Sequence, residues 1–408
     1  MGRRWFWGGP TLRQIRQSEH GSYRIAKTDR NDPAAVLFTT GSTGPAKGAV
    51  YSHGNFEAQL QQIKSHLAME PDEIDLSTFP LFALFYPALG VTSVIPDMDP
   101  TRPARVNPER IIEAIENLGV TNMFASPALL NRVGSYGRKN GIKLPSLKRV
   151  ISAGAPVSAD NIEQFSGLLT ADAEIHTPYG ATEAVPIISI NSKEILNETR
   201  QLSNKGFGTC IGRPINDIDI RIIKINDEPI DQWSDDLLVP QGEVGEITVK
   251  GELVSRQYFE NHAANRLGKI REGNDIIHRM GDVGWMDQKG RIWFCGRKNH
   301  RVVTAARTLF TIPCESFFNQ HPRVFRSALV GVGSPGRQTA VICIELHKGD
   351  RGGAAKQLEN ELLEIAASHD LTKNIKHILF HRAFPVDIRH NSKIFREQLA
   401  RWAEKKIK

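Results

Sequence analysis

Cysteine is scarce in this chain: four residues in 408, Cys210, Cys295, Cys314 and Cys343. None has metal-ligand or paired spacing, which argues against a zinc site or a disulfide framework. The expectation is reduced, mostly buried thiols in a cytoplasmic protein. Long apolar runs are also missing. The best candidates are broken by Pro80, Pro87 and Gly90, so no membrane span is expected. The start, Met1–Pro10, carries two arginines and three aromatics, but its apolar stretch is too short for a secretory leader. Although the net charge is +7, no basic stripe interleaved with aromatics is present. That pattern speaks against nucleic acid and for a solvated surface with an anionic substrate. The basic run Arg401–Lys408 reads as a helix end, where cations favour the dipole. No internal repeat is visible. With 40% hydrophobic and 24% charged residues, the chain is globular and long enough for two or three domains.

What the chain does have is a dense loop, Thr39-Thr40-Gly41-Ser42-Thr43-Gly44-Pro45-Ala46-Lys47-Gly48, behind the apolar run Ala34–Phe38. The run reads as a buried strand. Glycines let backbone N–H groups approach an anion, and hydroxyls and an ammonium add donors, which suits a polyphosphate. The common Gly-x-x-x-x-Gly-Lys-Ser/Thr loop is excluded. Ala46 stands where glycine must precede the lysine, and Gly48 stands where a hydroxyl must follow it.

The loop does not stand alone. Tyr179-Gly180-Ala181-Thr182-Glu183, Gly281-Asp282, Gly296-Arg297-Lys298-Asn299 and Lys393 come after it in order. Together these resemble the core motifs of the adenylate-forming enzymes: acyl-CoA synthetases, luciferases and peptide-synthetase adenylation domains. A narrower likeness lies in Phe79–Phe85, Ile95–Ala104, Thr311-Ile312-Pro313-Cys314-Glu315 and Asp387–Lys393. These segments are similar to the olefin-biosynthesis branch, whose members close 2-alkyl-3-hydroxy fatty acids into β-lactones.

The resemblance implies an α/β protein: a large layered adenylation domain over 1–296, followed by a small mobile α+β lid over 297–408. The family places a large subdomain upstream of the phosphate loop, so it also implies that the N-terminal part of the large domain is missing. The implied chemistry is carboxylate attack on the α-phosphorus of ATP, assisted by Mg²⁺. Ser42, Thr43, Gly44 and Lys47 would cradle the β- and γ-phosphates, with Thr39, Thr40 and Gly41 completing the loop. Adenine would stack on Tyr179 beside Gly180, facing Gly154-Ala155-Pro156. Thr182 would donate to the α-phosphate and Glu183 would hold the metal. Asp282 would accept from the ribose, Arg297 would contact ribose or phosphate, and Asn299 would serve as hinge. Lys393 would bridge carboxylate and phosphate.

Two departures bear on the second half-reaction. Arg307 replaces a glycine usual where pantetheine passes, and usual even in the olefin branch, and Ala83 stands where an aromatic or histidine gate is common. Both weaken a thiol acceptor and favour attack by the substrate's own 3-hydroxyl, for which effective molarity is high. No general base is identified; His53 and His176 neighbour the motifs. Three readings stay open: a β-lactone synthetase acting on a long-chain 3-hydroxy acid beside other olefin-biosynthesis enzymes, a long-chain fatty-acid–CoA ligase, or an inactive nucleotide-binding remnant.

Periodicity predicts helices over Gly54–Met69, Pro108–Asn117, Ser158–Leu169, Lys356–Ala367 and Lys393–Lys405. Strands are predicted over Val120–Ala125, Leu147–Ser152, Asp217–Lys224, Gly245–Lys250, Ile292–Phe294, Arg326–Val332, Thr339–His347 and Ile375–Phe380. Phe79–Ile95 reads as buried and Asn191–Gly206 as a polar loop.

Overall fold

A computed structural model describes residues 9–17, 24–39, 46–350, 355–386 and 393–407. Strands β1 (Pro33–Thr39) and β2 (Lys47–Ser52) pair antiparallel, with Thr39 opposite Lys47. The strand predicted at Ala34–Phe38 forms but is not buried. It is the edge of a three-stranded sheet, and Val36 and Phe38 are 37% and 65% exposed. Helix His53–Leu67 comes next, opened by a capping box in which Ser52 and Asn55 satisfy each other's backbone N–H groups. Its inward face carries Asn55, Gln59 and Gln62; Leu60 and Ile63 of the predicted apolar face are only half-buried.

The next strands are β3 (Ile74–Ser77), β4 (Thr92–Val94), β5 (Asn122–Phe124), β6 (Arg149–Ile151) and β7 (Glu174–Ala181). They run parallel and are joined by helices, as the alternation predicted. Helices Pro108–Leu118, Pro127–Lys139 and Ala159–Ser166 begin on Asn107, Ser126 and Ser158, each accepting from a first-turn N–H. Their apolar stripes meet one face of the sheet: Ile111, Ile115, Leu129, Val133, Ile162 and Phe165 pack with Met123, Val150 and Ile175. Each such side chain contributes about 1.5–3 kcal/mol on burial. Phe79–Ile95 folds as two short 3₁₀ turns and β4, with Phe79 and Ile95 exposed rather than buried.

The sheet then changes character. β8 (Ala184–Asn191) returns antiparallel to β7 across a two-residue turn, Thr182-Glu183. β9 (Thr209–Pro214), β10 (Asp219–Ile223) and β11 (Gly245–Lys250) continue it. β12 (Gln257–Tyr258) leaves this sheet to pair with β2. β13 (Lys269–Glu272), β14 (Asp275–Met286) and β15 (Ile292–Arg297) complete twelve strands, in the order β10-β11-β14-β15-β9-β8-β7-β6-β5-β3-β4 with β13 beside β14. The stretch expected to be a loop, 191–206, is helical. Two π turns, Ile195–Thr199 and Ser203–Phe207, interrupt it, and Gly206 adopts a φ of +84. Ile195 and Leu196 anchor it on the core.

Beyond β15 come separate small sheets: β16 (Val302–Val303) with β17 (Thr308–Leu309), then β18 (Val324–Val332), β19 (Thr339–Leu346) and β20 (His377–Phe380). Helices Thr311–Phe318 and Ala355–Ala367 cover one face of the β18–β20 sheet, and Arg396–Ile407 covers the other. The last helix starts three residues later than predicted, so Lys393 precedes its first turn.

Candidate active site

Gly154-Ala155-Pro156 and the Tyr179–Glu183 segment lie where the parallel strands β6 and β7 end, and Asp282 and Arg297 come beside Tyr179 from β14 and β15. Gly154-Ala155-Pro156 leaves β6 beside the strand that carries Tyr179, because Ser152 N–H already donates to the His176 carbonyl. Gly154 has a φ of +91, which favours glycine. At Gly180 a Cβ would meet the Ala184 carbonyl oxygen at 2.5 Å, so only glycine lets the hairpin close there.

Tyr179 projects to Asp282 on β14, its hydroxyl donating to Oδ2. Burial first, then the negative charge of Asp282, raises the phenol pKa and keeps it protonated. Asp282 itself is 4% exposed, and burial raises its pKa against the opposing pull of Arg297. Arg297 stands opposite it on β15, Nη1 3.1 Å from Oδ1. The alignment is not that of a hydrogen bond, and Oδ1 keeps an unused acceptor in the interior. A buried acceptor left open in this way suits a ligand hydroxyl.

Thr182 and Glu183 are gripped at the hairpin tip. The Tyr51 hydroxyl donates to the Thr182 carbonyl at 2.5 Å, and Ser255 N–H donates to the Glu183 carbonyl at 2.8 Å. The Glu183 carboxylate accepts from the Tyr258 hydroxyl at 2.6 Å. Burial opposes its ionisation, but the Tyr258 bond and nearby basic groups outweigh that, and its pKa is lowered. Among the described residues no cluster of three or more His, Cys, Asp or Glu could hold a metal alone. A lone anionic carboxylate fits Mg²⁺, which binds through one or two carboxylates together with phosphate oxygens.

Thr39 and Lys47 hold the two ends of the glycine-rich loop as register partners, with Lys47 N–H donating to Thr39 Oγ1 at 3.4 Å. Thr40, Gly41, Ser42, Thr43 and Gly44 lie outside the described residues. Lys47 places its ammonium 5.4 Å from the Tyr258 ring centroid. His176 lies inside the protein, its ring 6.1 Å from that of His66, and burial pushes it down to about 4.

After Arg297 the chain makes one 3₁₀ turn, Lys298–His300. Asn299 sits in it exposed, without the left-handed angle that asparagine tolerates. Lys298 donates to Glu246 at 3.1 Å and to the Asn226 carbonyl at 2.8 Å, and Arg301 bonds Asp227. Glu246 and Arg279 form an ion pair in which both side chains are 1% exposed. Lys393 lies in the small unit, next to Ile394, which bridges to Val386. Arg396 then binds Glu315 through both guanidinium ends, at 2.5 and 3.0 Å. Tyr51, Tyr258 and Lys269 carry no motif that marks them in the sequence. They stand far from Glu183 along the chain, and tertiary packing brings them in, with Tyr51 and Tyr258 coming from the separate β1-β2-β12 sheet.

A family model described as AMP-binding enzyme matches residues 9–259. The olefin beta-lactone synthetase of Xanthomonas campestris is 47% identical, over 99% of this chain and 73% of that protein. The olefin beta-lactone synthetase of Stenotrophomonas maltophilia is 48% identical, over 100% of this chain and 74% of its own. Among solved structures, O-succinylbenzoate coenzyme A synthetase from Bacillus subtilis, in complex with ATP and magnesium ion, superimposes with a TM-score of 0.73. It is 19% identical and covers 95% of this chain and 74% of that one. The chain is therefore a member of the AMP-binding, adenylate-forming enzymes, in the branch of the olefin beta-lactone synthetases.

Proposed function

We propose that this enzyme activates a long-chain 2-alkyl-3-hydroxy fatty acid with ATP and closes the acyl-adenylate to a β-lactone. The observation that carries this reading is the 47–48% identity to two olefin beta-lactone synthetases along essentially the whole chain. In the first step a carboxylate oxygen attacks the α-phosphorus and pyrophosphate leaves. In the second, the substrate's 3-hydroxyl attacks the acyl carbonyl, the bond to AMP breaks, and a four-membered ring forms. The hydroxyl proton is released.

Residues 1–296 form the nucleotide-binding unit in this reading, and 297–408 a lid that turns at Asn299. Tyr179, with Gly180 beside it, and Gly154-Ala155-Pro156 flank the adenine. Asp282 accepts from the ribose through its open Oδ1, with Arg297 alongside. Thr39, Lys47 and the loop between them hold the polyphosphate, and Thr182 donates to the α-phosphate. A magnesium ion on Glu183 would neutralise phosphate charge. Lys393 brings a cation to the bond-forming oxygens, where developing charge is stabilised. The base of its loop is fixed by the Val386–Ile394 bridge and the Arg396–Glu315 pair.

The reading without coenzyme A gains support from Arg307. Its guanidinium donates to the Asp370 carbonyl, and its own N–H bonds the Thr304 hydroxyl at 3.0 Å. A bulky, tethered side chain thus stands where glycine is usual in CoA ligases and in the olefin branch alike, which weakens a thiol acceptor without itself marking the branch.

The test is pyrophosphate release from ATP and a long-chain 2-alkyl-3-hydroxy acid, without coenzyme A, with the product identified by proton NMR. A β-lactone is expected. Release only with coenzyme A, giving a thioester, would replace this reading with acyl-CoA ligation. Folded protein that binds ATP but releases nothing in either case would identify a nucleotide-binding remnant.

A further inference from the structure

Tyr258 stands at a junction that none of the proposed roles requires. It is 5% exposed and lies on β12, the short strand that pairs with β2. Its register partner there is Ala49, two residues beyond Lys47. Phe259 N–H donates to the Gly48 carbonyl at 2.7 Å, which ties the same segment to the strand leaving the phosphate loop. Asn265 clamps the Tyr258 backbone from the other side, accepting from its N–H at 2.7 Å and donating to its carbonyl at 3.2 Å. The phenol is therefore held by its backbone before it touches anything. Its hydroxyl then reaches Glu183 Oε1 at 2.6 Å.

Behind the ring lies Lys269, at the start of β13. It is 8% exposed, and its ammonium is 5.4 Å from the ring centroid. The ammonium donates to the Ser255 carbonyl and lies 3.3 Å from the Ser255 hydroxyl. Ser255 N–H in turn holds the Glu183 carbonyl. His278, the register partner of Lys269, packs edge-on against Tyr258 at 6.4 Å and turns its Nδ1 to the Gly268 carbonyl at 2.9 Å. Among the described residues the hydrogen-bond partners of the Lys269 amine are neutral; burial pushes its pKa down to about 7, and the charge of Glu183 opposes that fall. Burying an ammonium without a touching counter-charge is costly, and a methionine would fill similar space without that cost. The position of this cation is accounted for if it serves the carboxylate beyond the ring.

We propose that Tyr258, backed by Lys269, is the positioning residue that sets the Glu183 carboxylate for a divalent cation. The inference rests on the reading of Glu183 as the metal-holding residue. A hydrogen bond to Oε1 fixes the carboxylate rotamer, so that Glu183 would meet a divalent cation already oriented. The same tyrosine is stitched to the strand bearing Lys47, so the metal-holding carboxylate and the phosphate-holding lysine keep a constant separation.

The experiment is Mn²⁺ binding to the whole chain in the presence of α,β-methylene ATP, monitored by electron paramagnetic resonance, with thermal melting as a check on folding. Glu183→Gln is the reference and should abolish the bound-Mn²⁺ signal. Tyr258→Phe keeps the ring and loses only the hydroxyl; it should weaken Mn²⁺ binding roughly tenfold, as loss of a partner that orients a metal ligand does. Lys269→Met should shift it in the same direction. Adding Lys269→Met to Tyr258→Phe should cost little more, because both act through one contact. Wild-type Mn²⁺ affinity in Tyr258→Phe, with the signal lost in Glu183→Gln, overturns the inference. Wild-type affinity in Glu183→Gln overturns the metal reading instead. Full additivity in the double variant removes Lys269 from the proposal, and if Lys269→Met does not fold, Tyr258→Phe alone decides.

Discussion

Asp282 and Arg297 face each other as register partners on adjacent antiparallel strands, and the guanidinium stands 3.1 Å from a carboxylate oxygen that makes no hydrogen bond. Tyr179 occupies the other oxygen. The carboxylate is thus fixed at one oxygen and open at the other. Asp282→Asn keeps the shape and loses the charge. It is expected to raise the KM for ATP about 10- to 100-fold, since hydrogen bonds to charged groups contribute ~1.5–3 kcal/mol. The KM for the acid should move little. Steady-state pyrophosphate release with each substrate varied in turn checks this, and an effect confined to the acid would reject the ribose role.

Lys393→Ala is expected to lower pyrophosphate release by roughly 100-fold or more, in line with loss of a charge-stabilising donor. ATP binding should stay within a few-fold, because the loop, Tyr179 and Asp282 are untouched. Calorimetric ATP binding beside a single-turnover assay separates the two effects. Undiminished pyrophosphate release would remove Lys393 from the chemistry.

Asp75 makes a pH-dependent contribution to stability. It is fully buried on β3, and burial pushes it up to about 7 despite a 2.6 Å hydrogen bond from Ser77. Its folded pKa therefore lies above its unfolded one, near 4. Between those values the folded chain holds a proton that the unfolded chain has released. The stabilisation is complete below about pH 4 and is lost as pH rises towards 7, by at most ~1.4 kcal/mol per pH unit. In Asp75→Asn that slope should flatten, and urea melts of both proteins at pH 5 and pH 7.5 measure it. Equal slopes would show that Asp75 titrates normally.

Glu246→Gln breaks a fully buried pair with Arg279 and frees Lys298 in the turn that follows β15. Leaving a buried charge without its partner costs ~3–5 kcal/mol. The midpoint of denaturation should fall accordingly. A shift below 1 kcal/mol in a urea titration would mean that water reaches the pair.

Motif order pointed to the adenylate-forming family, and the parallel half of the sheet was legible in the alternation of helices predicted at 108–117 and 158–169 with strands predicted at 120–125 and 147–152. Sequence reading failed where periodicity is broken. Between Leu196 and Leu202 the residues Asn197-Glu198-Thr199-Arg200-Gln201 are all polar, and two π turns interrupt the regular helix, so the stretch reads as a loop. It also failed at β1, where an apolar run implied burial but the strand lies at a sheet edge. Inside the site, the motif residues were legible and their supports were not. Tyr258 reaches Glu183 across 75 positions, and no local pattern marks such a contact.

The four cysteines have one more consequence. All are buried, and burial raises Cys210 to about 11 and Cys295, Cys314 and Cys343 to about 12. At neutral pH almost no thiolate exists to react with a maleimide. A pair of new cysteines at exposed positions, one at Lys139 and one at Lys356, would therefore take fluorophores selectively, with every native thiol left in place. The molecule supplies its own dark background for an optical ruler between those two positions.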